Sequence, residues 1–178
     1  MNKKLKLEEL GRMSVEEYEA VEKLPIEVVL DQVRSGHNVG SFFRTADALR
    51  VSRIHICGIT PQPPNREIHK TALGATETVA WTHWEDTTQC IKALRERGLR
   101  IVAIEQTEHS VSLPEYTCDN QPHALIFGNE VRGVDQEAID LCDATVEIPQ
   151  YGTKHSFNVS VCGGIVLWEL AQQFDFQE

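Results

Sequence analysis

Short apolar runs alternate with helix-like segments along nearly the whole chain, and this alternation constrains the fold more than any other feature. Strand-like runs stand at 26–33 (IEVVLDQV), 53–57, 77–82, 100–104, 123–127 and 145–148. Helical patterns fall between them. Ser14 N-caps a short helix over 14–22, and Glu17 completes a capping box. Asn38 N-caps a helix over 39–49, which places Val39, Phe42, Phe43, Ala46 and Leu49 on one face at helical spacing. Further helical segments cover 67–73, closed by Gly74, then 86–97, stopped by Gly98, then 135–141 and 159–174. Residues 112–116 fit neither pattern. Strand–helix–strand alternation predicts right-handed crossovers and an α/β fold: a mostly parallel sheet with helices on both faces. Residues 26–178 are expected to form one domain behind a short helical extension over 1–25.

Composition narrows the class. At 178 residues the chain is long enough for one well-buried core. No apolar run approaches the roughly 20 residues of a membrane helix. The first twenty residues carry lysines but no apolar core segment, so no secretory signal is expected. Five widely spaced cysteines form no CxxC pair, which argues against a disulfide framework or a zinc site and for a reducing, cytoplasmic setting. No carboxylate pair or histidine cluster has metal-ligand spacing. The net charge of −10 argues against broad polyanion binding. Local basic residues still permit specific phosphate contacts: Arg34, Arg44, Arg50, Arg66 and Lys70 are the candidates for contacting nucleic acid, each of which except Arg44 equally suits a solvated surface.

The last helix is apolar on two sides. Val159, Cys162, Val166, Leu170 and Phe174 make one stripe; Val161, Ile165 and Trp168 make another. Such a helix is either central or covered by a partner, and a subunit interface is the preferred reading. Gly163 and Gly164 each cost about 1 kcal/mol of helix propensity, which predicts close approach of another backbone. Cys162 is expected deep among apolar residues, where a thiol is inert.

Two strand-to-helix junctions carry the chemistry: Phe127–Gly133 (FGNEVRG) and Ile148–Ser160 (IPQYGTKHSFNVS). Polar loops after strand ends are where open α/β proteins place ligands. The first has the glycine spacing of a dinucleotide fingerprint, but Glu130 replaces the middle glycine and would repel a pyrophosphate, which argues against NAD binding. Taken singly, each residue has a bland alternative. FGNEVRG serves as a tight turn, Asn38 as a helix cap, and Asn158 or Ser160 as the cap of the last helix. Arg44 serves as a surface arginine paired with Asp47. His155 belongs to no recognisable triad.

Taken together, four ordered segments resemble the SpoU/TrmH class of the SPOUT methyltransferase superfamily. They are NVGSFFRTADA (Asn38–Ala48), KTALGA (Lys70–Ala75), FGNEVRGV (Phe127–Val134) and IPxxGxxxSFNVS (Ile148–Ser160), and the resemblance spans about residues 26–174. It implies a C-terminal trefoil knot, S-adenosylmethionine bound in the knot, a homodimer with active sites near the subunit interface, and methylation of a ribose 2′-hydroxyl in tRNA or rRNA. By the resemblance, Arg44 matches the proposed catalytic arginine and Asn38 the asparagine that helps hold it. Gly128, Asn129 and Glu130 match motif two, Ile148 and Pro149 the loop around the adenosylmethionine base, and Ser156, Phe157 and Asn158 motif three. Ile104 and Glu105 match the cofactor-side strand end less closely.

The catalytic set implied is thus Arg44, Asn38, Glu130, Ser156 and Asn158. The cofactor set is Ile104, Glu105, Gly128, Asn129, Ile148, Pro149, Ser156 and Phe157. An arginine side chain is a very poor base, with pKa above about 12, so Arg44 either has its proton affinity lowered or grips a phosphate and aligns the hydroxyl. The chain departs from the family's pattern at Arg50, where many relatives have glycine, and at Phe157, where leucine is commoner. About 25 residues before the first strand are too few for a separate RNA-binding domain. Motif three looks most like that of tRNA-directed members, which makes a D-loop guanosine in tRNA the first expectation and rRNA the second. A catalytically silent RNA- or cofactor-binding module on the same fold is the rival.

Overall fold

The computed structural model describes residues 2–6, 9–11 and 13–174. In chain order the elements are α1 (Val15–Ala20), β1 (Leu24–Asp31), α2 (Gly36–Ala48), β2 (Val51–Cys57), α3 (Arg66–Ala72), α4 (Ala75–Thr78), β3 (Trp81–Trp84), α5 (Thr87–Glu96), β4 (Arg100–Ile104), β5 (Val111–Ser112), β6 (His123–Phe127), α6 (Gln136–Ile139), β7 (Ala144–Glu147) and α7 (Val159–Ala171), with a 3₁₀ turn at Leu113–Glu115. The strands form one sheet in the order β3-β2-β1-β6-β4-β7-β5. Every strand pairing in it is parallel. The expected α/β class therefore holds, with a sheet that is parallel throughout.

Alternation along the central strands builds two cores. Ile26, Val28 and Leu30 of β1 face α2 and α7, where Phe42, Phe43, Val166, Leu167 and Leu170 cover them. Val29 faces the other way, with Ile101, Ala103, Ala124 and Ile126, under Ile91 and Leu94 of α5 and Ala138 of α6. Burial on both faces is why Val28–Leu30 of β1 and Ala124–Phe127 of β6 run apolar without alternating. The sequence path β1-β2-β3 runs outward one way, and the remaining strands lie on the other side of β1. The carboxyl ends of β1, β6 and β4 thus flank a switch in strand order, where ligands gather in such sheets.

Several boundaries differ from the sequence expectation for identifiable reasons. The β1 strand begins at Leu24 and contains Pro25, and its register to β2 shifts between Leu24 and Glu27, because proline offers no N–H to the ladder. It ends at Asp31 because Gln32 takes a left-handed backbone, φ +56°. α2 starts at Gly36, not Val39, and its N-cap is Ser35, whose side chain accepts from the Asn38 N–H. Asn38 is inside the first turn and its side chain is free for other partners. Residues 75–78 are helical, and the strand expected at 77–82 comes at Trp81–Trp84 instead. Gly74, at φ +94°, reverses the chain into the extra turn, and Thr78 Oγ1 donates to Asp47. α6 is shorter than the expected 135–141. The capping box at Ser14 and Glu17 is formed as expected.

The glycines of the first and last long helices are packing devices. A Cβ on Gly40 would lie 2.1 Å from Thr71 Oγ1 and 2.4 Å from the Ile68 carbonyl oxygen, so α3 can lie this close to α2 only because that side chain is absent. A Cβ on Gly163 would lie 2.2 Å from Phe42 Cε1. The expected close approach on α7 is thus by an aromatic ring from α2, not a backbone, and Gly164 meets nothing. Of the two stripes on α7, Val166 and Leu170 are buried. Val161, Ile165 and Trp168 remain 51%, 37% and 59% exposed. Among the described residues all five cysteines are free thiols, no group of three or more His, Cys, Asp or Glu side chains is placed to hold a metal ion, and no helix is long and apolar enough to cross a membrane.

Beneath α5 the buried Glu27 and His55 meet the exposed Arg97 at the end of that helix. Arg97 donates two hydrogen bonds to Glu27, at 3.0 and 2.5 Å, and His55 Nε2 lies 2.6 Å from the same carboxylate. Trp84 Nε1–H donates to His55 Nδ1 at 3.0 Å, which places the imidazole proton on Nε2 and aims it at Glu27. Burial alone would raise the Glu27 pKa, but the hydrogen bonds from His55 and Arg97 and the Arg97 charge outweigh it and hold the carboxyl at about 2. A depressed carboxyl pKa stabilises the fold above its unfolded value, near 4.3, and this contribution is lost as pH falls toward 2. Glu27→Gln is expected to lower stability at pH 7 by about 2 kcal/mol and to flatten the loss of thermal stability between about pH 4.5 and 2. Thermal melts of both proteins across that range check it.

Candidate active site

The loop after β6 is built around its own hydrogen bonds. Gly128 lies so close to the returning chain that a Cβ there would be 2.1 Å from the Gly133 carbonyl carbon. Its missing side chain therefore admits the loop's own backbone rather than a ligand. Asn129 and Gly133 exchange two backbone hydrogen bonds of 2.9 Å, and Gly133 takes φ +72°. The Asn129 side chain is consumed within the fold: Oδ1 accepts from the Val131 and Arg132 N–H groups, and Nδ2 donates to the Gln32 carbonyl. From the end of β4, the Glu105 carboxylate accepts the Val134 N–H at 2.9 Å.

So shaped, the loop projects Glu130 at the start of α2. Its carboxylate accepts from the Arg34 and Ser35 N–H groups, both at 3.0 Å, and from Asn38 Nδ2 at 2.9 Å. Asn38 Oδ1 in turn accepts from Asn158 Nδ2 at 3.2 Å. Asn158 is the N-cap of α7: its Oδ1 accepts from the Ser160 and Val161 N–H groups, and Ser160 Oγ sits 2.7 Å away as a further donor. Asn158, not Ser160, is therefore the cap, and its amide nitrogen is left for Asn38. One carboxylate and two asparagines join segments that lie 92 and 120 residues apart in sequence. Burial pushes the Glu130 pKa upward, but the donors from Arg34, Asn38 and Ser35 prevail and lower it, so it is a carboxylate at neutral pH.

Beside this junction, at the carboxyl ends of β4, β6 and β7, is a cavity of about 280 Å³. Ile104, Phe127, Val146, Ile148 and Phe157 give it apolar walls; Glu105, Gln106, Glu147 and Ser156 give it polar ones. The exposed loop over 151–158 is pinned across it, because Gln106 Nε2 and Gln150 Nε2 both donate to the His155 carbonyl, at 2.9 and 3.3 Å. His155 thus acts through its backbone. Cys162 lines the cavity from α7 rather than lying deep in the core, and burial pushes its thiol up to about 12, far from a reactive thiolate.

Of the residues the sequence nominates, Ile104, Glu105, Gly128, Asn129, Glu130, Ile148, Ser156 and Phe157 line this cavity. Pro149 adjoins Ile148 outside the lining. Asn38 and Asn158 reach its rim through Glu130. Arg44 does not line it. That arginine is exposed on α2, six residues beyond Asn38, and is bonded to no described residue; Asp47, its expected partner, is taken by Thr78. Six residues of helix are about 9 Å along the axis and roughly a third of a turn around it. Arg34 faces a neighbouring cavity, and Arg66 and Lys70 are exposed on α3. Arg50 is at the opposite end of the sheet, where its carbonyl accepts from the first residue of β1. Its φ of +52° is the backbone that makes glycine common there. Gln106, Val146, Gln150 and Cys162 were not nominated. Gln106 carried the available signal, since it follows a strand end.

Glu130→Gln keeps the side chain's shape but turns one amide N–H toward a backbone N–H. The amides of Arg34 and Ser35 are expected to exchange with solvent at least about tenfold faster, with the β1 amides unchanged. Hydrogen-exchange mass spectrometry over peptides covering 33–38 and 26–31 checks this.

The SpoU rRNA Methylase family model matches residues 25–168. Over 166 residues the chain is 30% identical to a 23S rRNA (guanosine-2′-O-)-methyltransferase RlmB of Vibrio parahaemolyticus, covering 93% of this chain and 66% of that protein. It is 31% identical to a tRNA (guanosine(18)-2′-O)-methyltransferase of Thermus thermophilus, covering 93% of this chain and 84% of that one. An AdoMet-bound rRNA methyltransferase from Sinorhizobium meliloti superposes with a TM-score of 0.79 at 30% identity, over 85% of this chain and 57% of the other. The chain spans 66% and 59% of the length of the first two curated relatives.

Proposed function

The chain belongs to the SpoU rRNA Methylase family, and from that premise we propose that it is an S-adenosylmethionine-dependent RNA methyltransferase acting on a ribose 2′-hydroxyl. The observation that carries the reading is the Glu130–Asn38–Asn158 junction set at the rim of the apolar cavity, formed by the three family motifs. A nucleoside with a sulfonium centre suits that cavity's chemistry. Ile148, Phe157 and Ile104 offer apolar surface for a base, and Ser156 offers a polar contact. Glu105 and Glu147 give the walls a negative character that matches a cationic sulfur. When bound, adenosylmethionine supplies an electrophilic methyl group.

The residues of the chain orient the acceptor. The Asn38 and Asn158 amides, fixed by Glu130, present polar groups at the cavity's edge. Arg44 aligns the acceptor ribose through its planar, multi-donor guanidinium or takes up its proton. Because Arg44 is apart from the cavity of its own chain, the proposal includes a homodimer through the exposed stripe of α7, placing one subunit's Arg44 by the other's cavity. A C-terminal trefoil knot over a single domain of residues 26–178, with 1–25 as an extension, and a cytoplasmic location complete it. The preferred substrate is tRNA, with a D-loop guanosine as the first target. The tRNA (guanosine(18)-2′-O)-methyltransferase activity of the Thermus relative supports this, and the Vibrio and Sinorhizobium relatives favour rRNA as the second reading.

Incubation with methyl-labelled adenosylmethionine and separate tRNA and rRNA pools, followed by nucleoside analysis, tests the assignment. The expected product is a 2′-O-methylnucleoside from tRNA; a base-methylated nucleoside, or cofactor binding without transfer, overturns it. Arg44→Lys is expected to lose nearly as much turnover as Arg44→Ala, about a hundredfold or more, because an ammonium lacks the planar fork. Near-normal turnover of a folded Arg44→Lys protein removes the arginine from catalysis. Trp168→Glu is expected to halve the mass seen in sedimentation and to abolish transfer, while adenosylmethionine still binds.

A further inference from the structure

We propose that a second cavity, on the outer side of the loop after β6 and bounded by Arg34, Ile59, Val131 and Arg132, receives a nucleotide of the substrate RNA adjoining the one that is methylated. The proposal rests on the methyltransferase reading and names how that site selects its RNA. The cavity measures about 520 Å³ and shares Asn129, Val131 and Arg132 with the methyl-donor cavity, so whatever fills it lies directly beside that cavity.

Its chemistry is that of a nucleotide pocket. Ile59 and Val131 are 67% and 77% exposed, an apolar surface suited to the face of a base. The guanidinium groups of Arg34 and Arg132 are bonded to no described residue; only their backbone N–H groups are engaged, with Glu130 and Asn129. Two uncommitted arginines at one cavity, in a chain of net charge −10, are matched by a phosphate. Asp135 is the acid in the lining, and its backbone N–H is anchored on Asp31 at 3.0 Å.

The cavity is also preformed. Gln32 accepts the Ile59 N–H on Oε1 at 3.1 Å and the Asn129 amide on its carbonyl at 2.8 Å. It thereby ties the ends of β1 and β2 to the loop after β6, and a pocket that needs no ordering binds with less loss.

The test uses Arg34 and Ile59, which line this cavity and not the methyl-donor one. Wild type, Arg34→Ala and Ile59→Ala are compared for binding of total tRNA and total ribosomal RNA over a range of salt, for adenosylmethionine affinity by calorimetry, and for mass by sedimentation. On the RNA that wild type methylates, Arg34→Ala is expected to weaken binding about five- to tenfold and to reduce the salt slope by about one. Ile59→Ala is expected to weaken it about threefold or more with the slope unchanged. Cofactor affinity and mass stay within about twofold of wild type for both. Wild-type-like RNA binding by both variants overturns the proposal while leaving the methyltransferase reading intact. A fall in mass overturns it in favour of a second copy of the chain in the cavity, and a fall in cofactor affinity overturns it in favour of an effect on the methyl-donor site. Wild type that binds adenosylmethionine but no RNA overturns both this proposal and the reading beneath it.

Discussion

The Glu130 carboxylate is the point on which the site depends. It accepts two backbone N–H groups at the start of α2 and the amide of Asn38, and Asn38 passes the connection to Asn158 at the start of α7. A helix start leaves backbone donors without intrahelical partners, and a carboxylate is the strongest acceptor a side chain can offer them. The acid that would repel a pyrophosphate in a dinucleotide fold is here engaged by the backbone N–H groups of Arg34 and Ser35 and by Asn38. Family membership then reads as a consequence of geometry: three motifs distant in sequence are three parts of one hydrogen-bonded junction.

The parallel sheet supplies the setting. Parallel strands deliver all their carboxyl ends to one side, so β4, β6 and β7 open into a common cavity, and loops of unrelated sequence meet there. The glycines set how tightly these parts close. Gly128 lets the loop after β6 fold on itself, Gly40 lets α3 lie against α2, and Gly163 admits the Phe42 ring under α7. Each loss of helix or strand propensity is offset by a contact that a methyl group would block. The same stitching makes both cavities rigid, since Gln32, Asn129 and Glu105 use their side chains on neighbouring loops.

Much of this was legible before the fold was known. Strands β4 and β6 fall where the apolar runs place them, and the exposed second stripe of α7 follows from Val161, Ile165 and Trp168 at helical spacing. The cavity lining includes most of the residues nominated from the four segments. The misses have a common origin in tertiary competition. Asn38 looked like a cap because asparagine before a helix usually is one, but Ser35 takes that position and leaves Asn38 for Glu130. Residues 77–82 have strand-like composition, yet Gly74 and the Thr78–Asp47 hydrogen bond make the first part helical. Basic residues near one another in sequence separate in space, with Arg34 beside the site and Arg50 at the far end of the sheet.

By itself the sequence determined the class of fold, the order of its elements and the identity of the segments that carry the chemistry, because periodicity and residue type act locally. It did not determine which side chains are spent on structure and which are left for a ligand. Asn129, Glu105 and Glu130 are polar residues lining the cavity, and only the folded chain shows their hydrogen-bonding capacity turned toward backbone N–H groups and carbonyls of neighbouring loops. The tertiary structure likewise set Arg44 apart from its own cavity and left Arg34 and Arg132 uncommitted beside a second one. Hydrogen-bond partners are assigned by proximity in space, and proximity over 90 to 120 residues is a property of the packed sheet rather than of any segment.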